Sequence, residues 1–89
     1  MSARFACPCC GYKTFNEKPD GTYSICQVCY WGDDPIQLAD PDYEGGANGV
    51  SLRQAQHNFQ EFGACEKAMI KNVRKPKPDE SQDKDWAWL

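Results

Sequence analysis

The sequence predicts a small α+β domain: a β-hairpin carrying two cysteine knuckles, then an acidic loop and one or two short helices. Three observations predict it. Two C-x2-C pairs, Cys7/Cys10 and Cys26/Cys29, are separated by fifteen residues. Between them lie two runs rich in aromatic and β-branched residues, YKTF at 12–15 and TYSIC at 22–26. Past residue 50, apolar side chains recur at helical spacing.

The hairpin comes first. Pro19-Asp20-Gly21 stands between the two runs. Proline fixes φ and glycine accepts positive φ, so the tripeptide reads as a turn. Pairing 12–15 with 22–26 would bring both cysteine pairs to one end. Each pair has the spacing of a metal-binding knuckle. Two intervening residues let a tight turn aim both sulfurs at one point about 2.3 Å away, with backbone amides donating to them. Gly11 follows the second cysteine of the first pair, and Pro8 presets the turn. Four thiolates facing one another make a tetrahedron that suits Zn²⁺. The architecture expected is therefore zinc-ribbon-like, with Cys7, Cys10, Cys26 and Cys29 as ligands. Iron is the lesser alternative: CPCCGY resembles a rubredoxin knuckle, but rubredoxins space their knuckles much further apart.

Residues 32–49 form the acidic loop, broken by Pro35, Pro41 and the run EGGANG, with a turn of helix near 36–39. The first longer helix starts at Ser51, an N-cap with Gln54 three positions on. Leu52, Ala55, Phe59 and Phe62 mark its apolar face, and Gly63 is its stop. A second helix is expected over about 65–73, with Met69, Ile70 and Val73 on one side, ended by Pro76 and Pro78. The division is 1–76 as the cysteine-rich domain and 77–89 as a flexible acidic tail. Trp86, Trp88 and Leu89 at its end either dock on the body or form a free short motif.

Size explains why a staple is needed. The chain has 89 residues, and near this length an apolar core alone gives marginal stability. The opening MSARFACP has no charged start leading into an apolar run, so no secretory signal is read. No stretch approaches the roughly 20 apolar residues of a membrane span. A cytoplasmic protein is expected, and in a reducing compartment clustered cysteines bind metal or do redox chemistry rather than form disulfides. The formal net charge is −3. Residues 31–50 hold Asp33, Asp34, Asp40, Asp42 and Glu44 with no basic side chain. Four thiolates around a dication would add two more negative charges. Nucleic acid is thus a poor partner, since phosphate affinity comes from Lys and Arg. The hairpin offers only Lys13 and Lys18 against Glu17 and Asp20. A protein partner fits better, through the acidic loop or through the stripe Lys67, Lys71, Arg74 and Lys75.

The remaining candidates read mostly as structure. Cys9, between two ligands, is a small buried hydrophobe; its alternatives are a redox thiol, a partner for Cys65, or a ligand in place of Cys7. Cys65 reads as core. C-P-C-C also meets the C-P-x-C redox form, but that motif needs a βαβ context and a helix start, and a hairpin follows here. His57, the one histidine, lies mid-helix and reads as a surface or packing residue. A thiol redox protein or hydrolase using Cys9 or His57 is the enzymatic alternative. Catalytic zinc keeps an open position, which four thiolates close, so no enzyme is expected. Tyr30 and Trp31 are expected to cover the metal and pack on the first long helix against Phe59 and Phe62. The acidic loop has oxygens enough for a hard cation, but turns and helix caps account for them.

With these residues placed, the chain resembles the bacterial cysteine-rich CPCC family. CPCCGYKT, GTYSICQVCYWGDDP, DPDYEGGANGVSLRQAQHNFQEFGAC and VRKP carry the resemblance across residues 5–76. It implies a small stand-alone domain with a metal site at the paired cysteines, and no particular activity. It also implies that DPDYEGGANGVSL wraps the ribbon and delivers the chain to the helix.

Overall fold

A computed structural model describes residues 4–19 and 21–89. Its elements are strands β1 (Phe5–Ala6) and β2 (Lys13–Phe15), helix α1 (Pro35–Ala39), helix α2 (Leu52–Phe62) and a 3₁₀ helix over Lys67–Asn72. The small α+β architecture with its cysteine-bearing hairpin is the one expected.

The strand partners differ from the expectation. β2 pairs antiparallel with β1, not with residues 22–26, so the hairpin closes around the first knuckle. The second knuckle closes on itself in the same way, through the Ile25–Gly32 bridge. Tyr23 and Ser24 extend that ladder by exchanging hydrogen bonds with Asp33 at 3.0 and 2.9 Å. The reason is local: a C-x2-C turn reverses the chain by itself, so its own flanks are the nearest partners. Of the turn between the two runs, Asp20 lies outside the described residues; Gly21 has the expected positive φ of +84°.

β1 and β2 change register between Phe5–Phe15 and Ala6–Lys13. The extra residue is Thr14, a bulge on β2, and such bulges re-aim side chains. Its N–H turns back to the Tyr12 carbonyl at 2.9 Å.

The acidic loop is a wrapping, as the family resemblance implied. Asp34 caps α1, accepting from the amides of Ile36 and Gln37, and also takes the Ala47 amide at 2.8 Å. Asp33 accepts from the Thr22 amide and hydroxyl, each at 2.9 Å. Asp42 pairs with Arg53 at 2.7 Å. Gln37, fully buried, donates to the Val50 carbonyl at 2.9 Å and accepts from the Asn48 amide group at 2.8 Å. Asn48 in turn grips Gly32 by both its N–H and its carbonyl, each at 2.7 Å. A side-chain amide thus does the work of a neighbouring strand at the exit of the second knuckle.

α2 begins and ends where expected. Ser51 accepts from the Gln54 amide at 3.1 Å, and Gly63 closes the helix in the left-handed conformation. The return half of the capping box is absent: the Gln54 side chain goes to Asn58 instead. The second helix is shorter and tighter than expected. It is a single 3₁₀ run with no side-chain cap, and Ile70 faces solvent. The chain leaves it extended at Val73, and the Arg74 amide donates to the Gln27 carbonyl at 3.1 Å.

The core is built on sulfur. All six cysteines, Phe15, Val28, Trp31, Leu52 and Ala55 form one buried cluster. Residues 80–89, whose composition reads as tail, lie against it. Gln82 bridges to Tyr12, the Lys13 amide donates to the Ser81 carbonyl, and Trp86 and Trp88 dock. Among the described residues, no helix is long and apolar enough to cross a membrane.

Candidate metal centre

The two knuckles are copies of one backbone device. In the first, the Gly11 amide donates to the Cys7 carbonyl at 2.8 Å and the Cys7 amide to the Tyr12 carbonyl at 2.9 Å. In the second, the Tyr30 amide donates to the Cys26 carbonyl at 2.7 Å and the Cys26 amide to the Trp31 carbonyl at 2.9 Å. The residue after the second cysteine is left-handed in both: Gly11 at φ +79° and Tyr30 at φ +70°. Glycine takes that conformation freely, whereas a tyrosine there is strained by about 1–2 kcal/mol. The third residue of each turn is buried in both, Cys9 in one and Val28 in the other.

Facing each other, the knuckles bring the sulfurs of Cys7, Cys10, Cys26 and Cys29 within 4.8 Å of one another. Cys7 and Cys29 are 3.6 Å apart and Cys10 and Cys26 3.8 Å. A tetrahedral ion with sulfurs at about 2.3 Å requires edges of about 3.8 Å, so the cage fits such an ion. All four residues are 0% exposed. Four cysteines gathered this closely can hold a metal ion.

Donors around the cage favour thiolate. The Cys9 amide points at Cys7 Sγ from 3.4 Å. The Thr14 hydroxyl, turned inward by the bulge, donates to Cys26 Sγ at 3.1 Å. Thiol donors from Cys10, Cys29 and Cys7 pull Cys26 far below the ordinary thiol range, while burial pushes Cys7 and Cys29 well above it. A dication held by the four sulfurs would stabilise each thiolate it touched.

The other sequence candidates stand apart from the cage or merely beside it. Cys9 is 0% exposed and its thiol is raised by burial. Burial likewise raises Cys65 to about 12. Low-pKa, accessible thiols are the reactive kind, and these are neither. His57 lies on the solvent face of α2, 3.5 Å from Glu61. Trp31 is buried in the sulfur cluster as expected, but Phe59 does not meet it as a ring partner. Phe59 packs instead between Tyr12 at 6.2 Å and Trp88 at 6.4 Å. The sequence reading missed Thr14, Gln56 and Gln82. Gln56 donates to the Pro8 carbonyl at 2.9 Å and Gln82 to the Cys10 carbonyl at 2.9 Å. Only Thr14 left a trace, as a hydroxyl in the strand that follows the first knuckle.

Residues 5–80 match the family described as cysteine-rich CPCC. The chain belongs to that family. The CPCC run that names it is Cys7-Pro8-Cys9-Cys10, so its outer cysteines are two of the four cage sulfurs and its inner one is the buried Cys9. The match also takes in the acidic loop, α1, α2, the 3₁₀ helix and Glu80, and stops short of the two docked tryptophans. No curated protein matches the chain.

Proposed function

We propose that this CPCC protein is a structural-zinc module of the cytoplasm that works through protein contacts and performs no catalysis. The closed shell of four buried sulfurs carries the reading. A catalytic ion needs a coordination position open to water or substrate, and an all-thiolate tetrahedron has none. Zn²⁺ suits such a shell, and its binding free energy is then folding free energy. That matches a domain whose core cluster contains every cysteine it has. The surfaces left for a partner are the exposed carboxylates of Asp40 and Glu44, and the exposed Lys67, Lys71 and Lys75. Arg74 drops out of that basic stripe because Glu80 engages it.

Elemental analysis of the purified chain should find one equivalent of zinc in a colourless solution. Stripping the ion with a strong chelator should abolish the helical circular dichroism of α2. Spectra that survive complete metal loss unchanged would end the structural-metal reading, and a red solution would replace zinc with iron.

A further inference from the structure

The two knuckles are built alike but covered differently. Over the second, the Cys29 carbonyl accepts from the Cys65 amide at 2.8 Å and the Gln27 carbonyl from the Arg74 amide at 3.1 Å. Those donors lie in the chain flanking the 3₁₀ helix, where Ala64 and Cys65 are themselves core. Over the first, Gln56 of α2 takes the Pro8 carbonyl at 2.9 Å, and the rest of the cover comes from residues 80–89. The Cys10 carbonyl accepts from Gln82 Nε2 at 2.9 Å, and the Gly11 carbonyl from the Asp83 amide at 2.8 Å. The Trp86 indole lies on Gly11 so closely that a Cβ there would sit 2.5 Å from the ring.

This cover is held at two ends and, near the first of them, by the pairing of Ser81 and Gln82 with Lys13 and Tyr12. Glu80 is locked by Arg74, and the Leu89 amide donates to Gln56 Oε1 at 2.7 Å. Between those ends most side chains are exposed, including Gln82, Lys84, Asp85 and Ala87. The run Lys-Pro-Lys-Pro at 75–78 joins the segment to the body. A segment with few buried apolar contacts and solvent-facing hydrogen bonds opens locally at lower cost than a packed core does. We propose that residues 80–89 are a clasp over the first knuckle, and that its opening sets the rate at which a metal ion enters and leaves the cage on the Cys7–Cys10 side.

The clasp rests on the metal reading above, and the test separates the two. Zinc-loaded full-length chains carrying Gln82→Ala, Trp86→Ala or Val50→Ala are mixed with excess chromophoric chelator, and transfer is timed. Val50 packs on the core and lines a cleft with Asn58, Phe62 and Ala68, none of which belongs to the clasp, so its truncation controls for general loosening. Each chain should start with one equivalent of zinc. Gln82→Ala and Trp86→Ala should then release it about tenfold faster, the factor expected from losing a hydrogen bond or its covering ring. Val50→Ala should stay within about twofold of the unmodified chain. Native release rates in both clasp variants would overturn the proposal, as would an equal acceleration by Val50→Ala, which would assign release to global unfolding. An unmodified chain that folds without zinc would remove the metal reading and the clasp together.

Discussion

At the scale of single residues, Thr14 decides more than its place in a two-strand hairpin suggests. The register shift makes it a bulge, the bulge turns its hydroxyl inward, and the hydroxyl meets Cys26 Sγ at 3.1 Å. Groups that hydrogen-bond a ligand atom typically alter metal affinity by about 10–100-fold when removed. Thr14→Val keeps the shape and the β-branching and deletes only the donor. It should bind zinc about tenfold more weakly in a chelator competition while the folded spectrum stays intact. Unchanged affinity would show that the Cys26 thiolate needs no such partner. Gly11 and Tyr30 show the opposite economy. The same left-handed geometry is required after each knuckle, yet only one of the two uses the residue that adopts it without strain.

At the scale of elements, α2 was the most legible part of the chain. Serine at the start, glycine at the end and apolar residues in phase are local signals, and local signals survive folding. The Ser51 cap should be separable from the metal site: Ser51→Ala removes the acceptor for the Gln54 amide and should cost about 1 kcal/mol in zinc-saturated urea unfolding. A loss well below that would mean the amide finds another acceptor. The cysteine spacing was equally legible, because ligand geometry constrains sequence over four residues. Strand pairing was not. Residues 12–15 have the same β character whichever partner they take, and only the closure of each knuckle on its own flanks selects β1. The second helix lies where the periodicity marks it, but it is a 3₁₀ run, for a related reason. Periodicity marks an apolar face at 65–73, but the pull of the Gln27 carbonyl on the Arg74 amide comes from far away in sequence. Gln37, Asn48 and Gln56 were invisible for the same cause, since a buried amide that bonds distant backbone leaves no pattern around itself.

At the scale of the whole molecule, Glu80 ties the two ends of the described chain together. Its carboxylate receives both Arg74 nitrogens, at 2.6 and 2.9 Å, the Lys77 amide at 2.8 Å and Arg4 at 3.4 Å. The Arg74 guanidinium above all holds its carboxyl down to about 2, from an ordinary value of 4.5. A carboxyl lowered by folding stabilises the fold above its unfolded pKa, and that stabilisation fades as pH falls toward the folded one. The unmodified chain should therefore exceed Glu80→Gln in stability by a constant amount from pH 7 to about 5. Because Arg74 is a third exposed, that amount is about 2 kcal/mol. It should shrink below about pH 4.5 and vanish near pH 2. Parallel urea titrations of the two chains in excess zinc check this, with acid loss of the ion common to both; an advantage independent of pH would assign Glu80 a packing role. The docked end of the chain has one more consequence. The Trp86 and Trp88 indoles meet edge to face with centroids 4.3 Å apart. Two identical chromophores at that separation couple their excited states, and such fixed ring geometry is what near-ultraviolet dichroism detects. The protein thus carries a built-in optical gauge, readable in a stopped-flow cell with no attached dye.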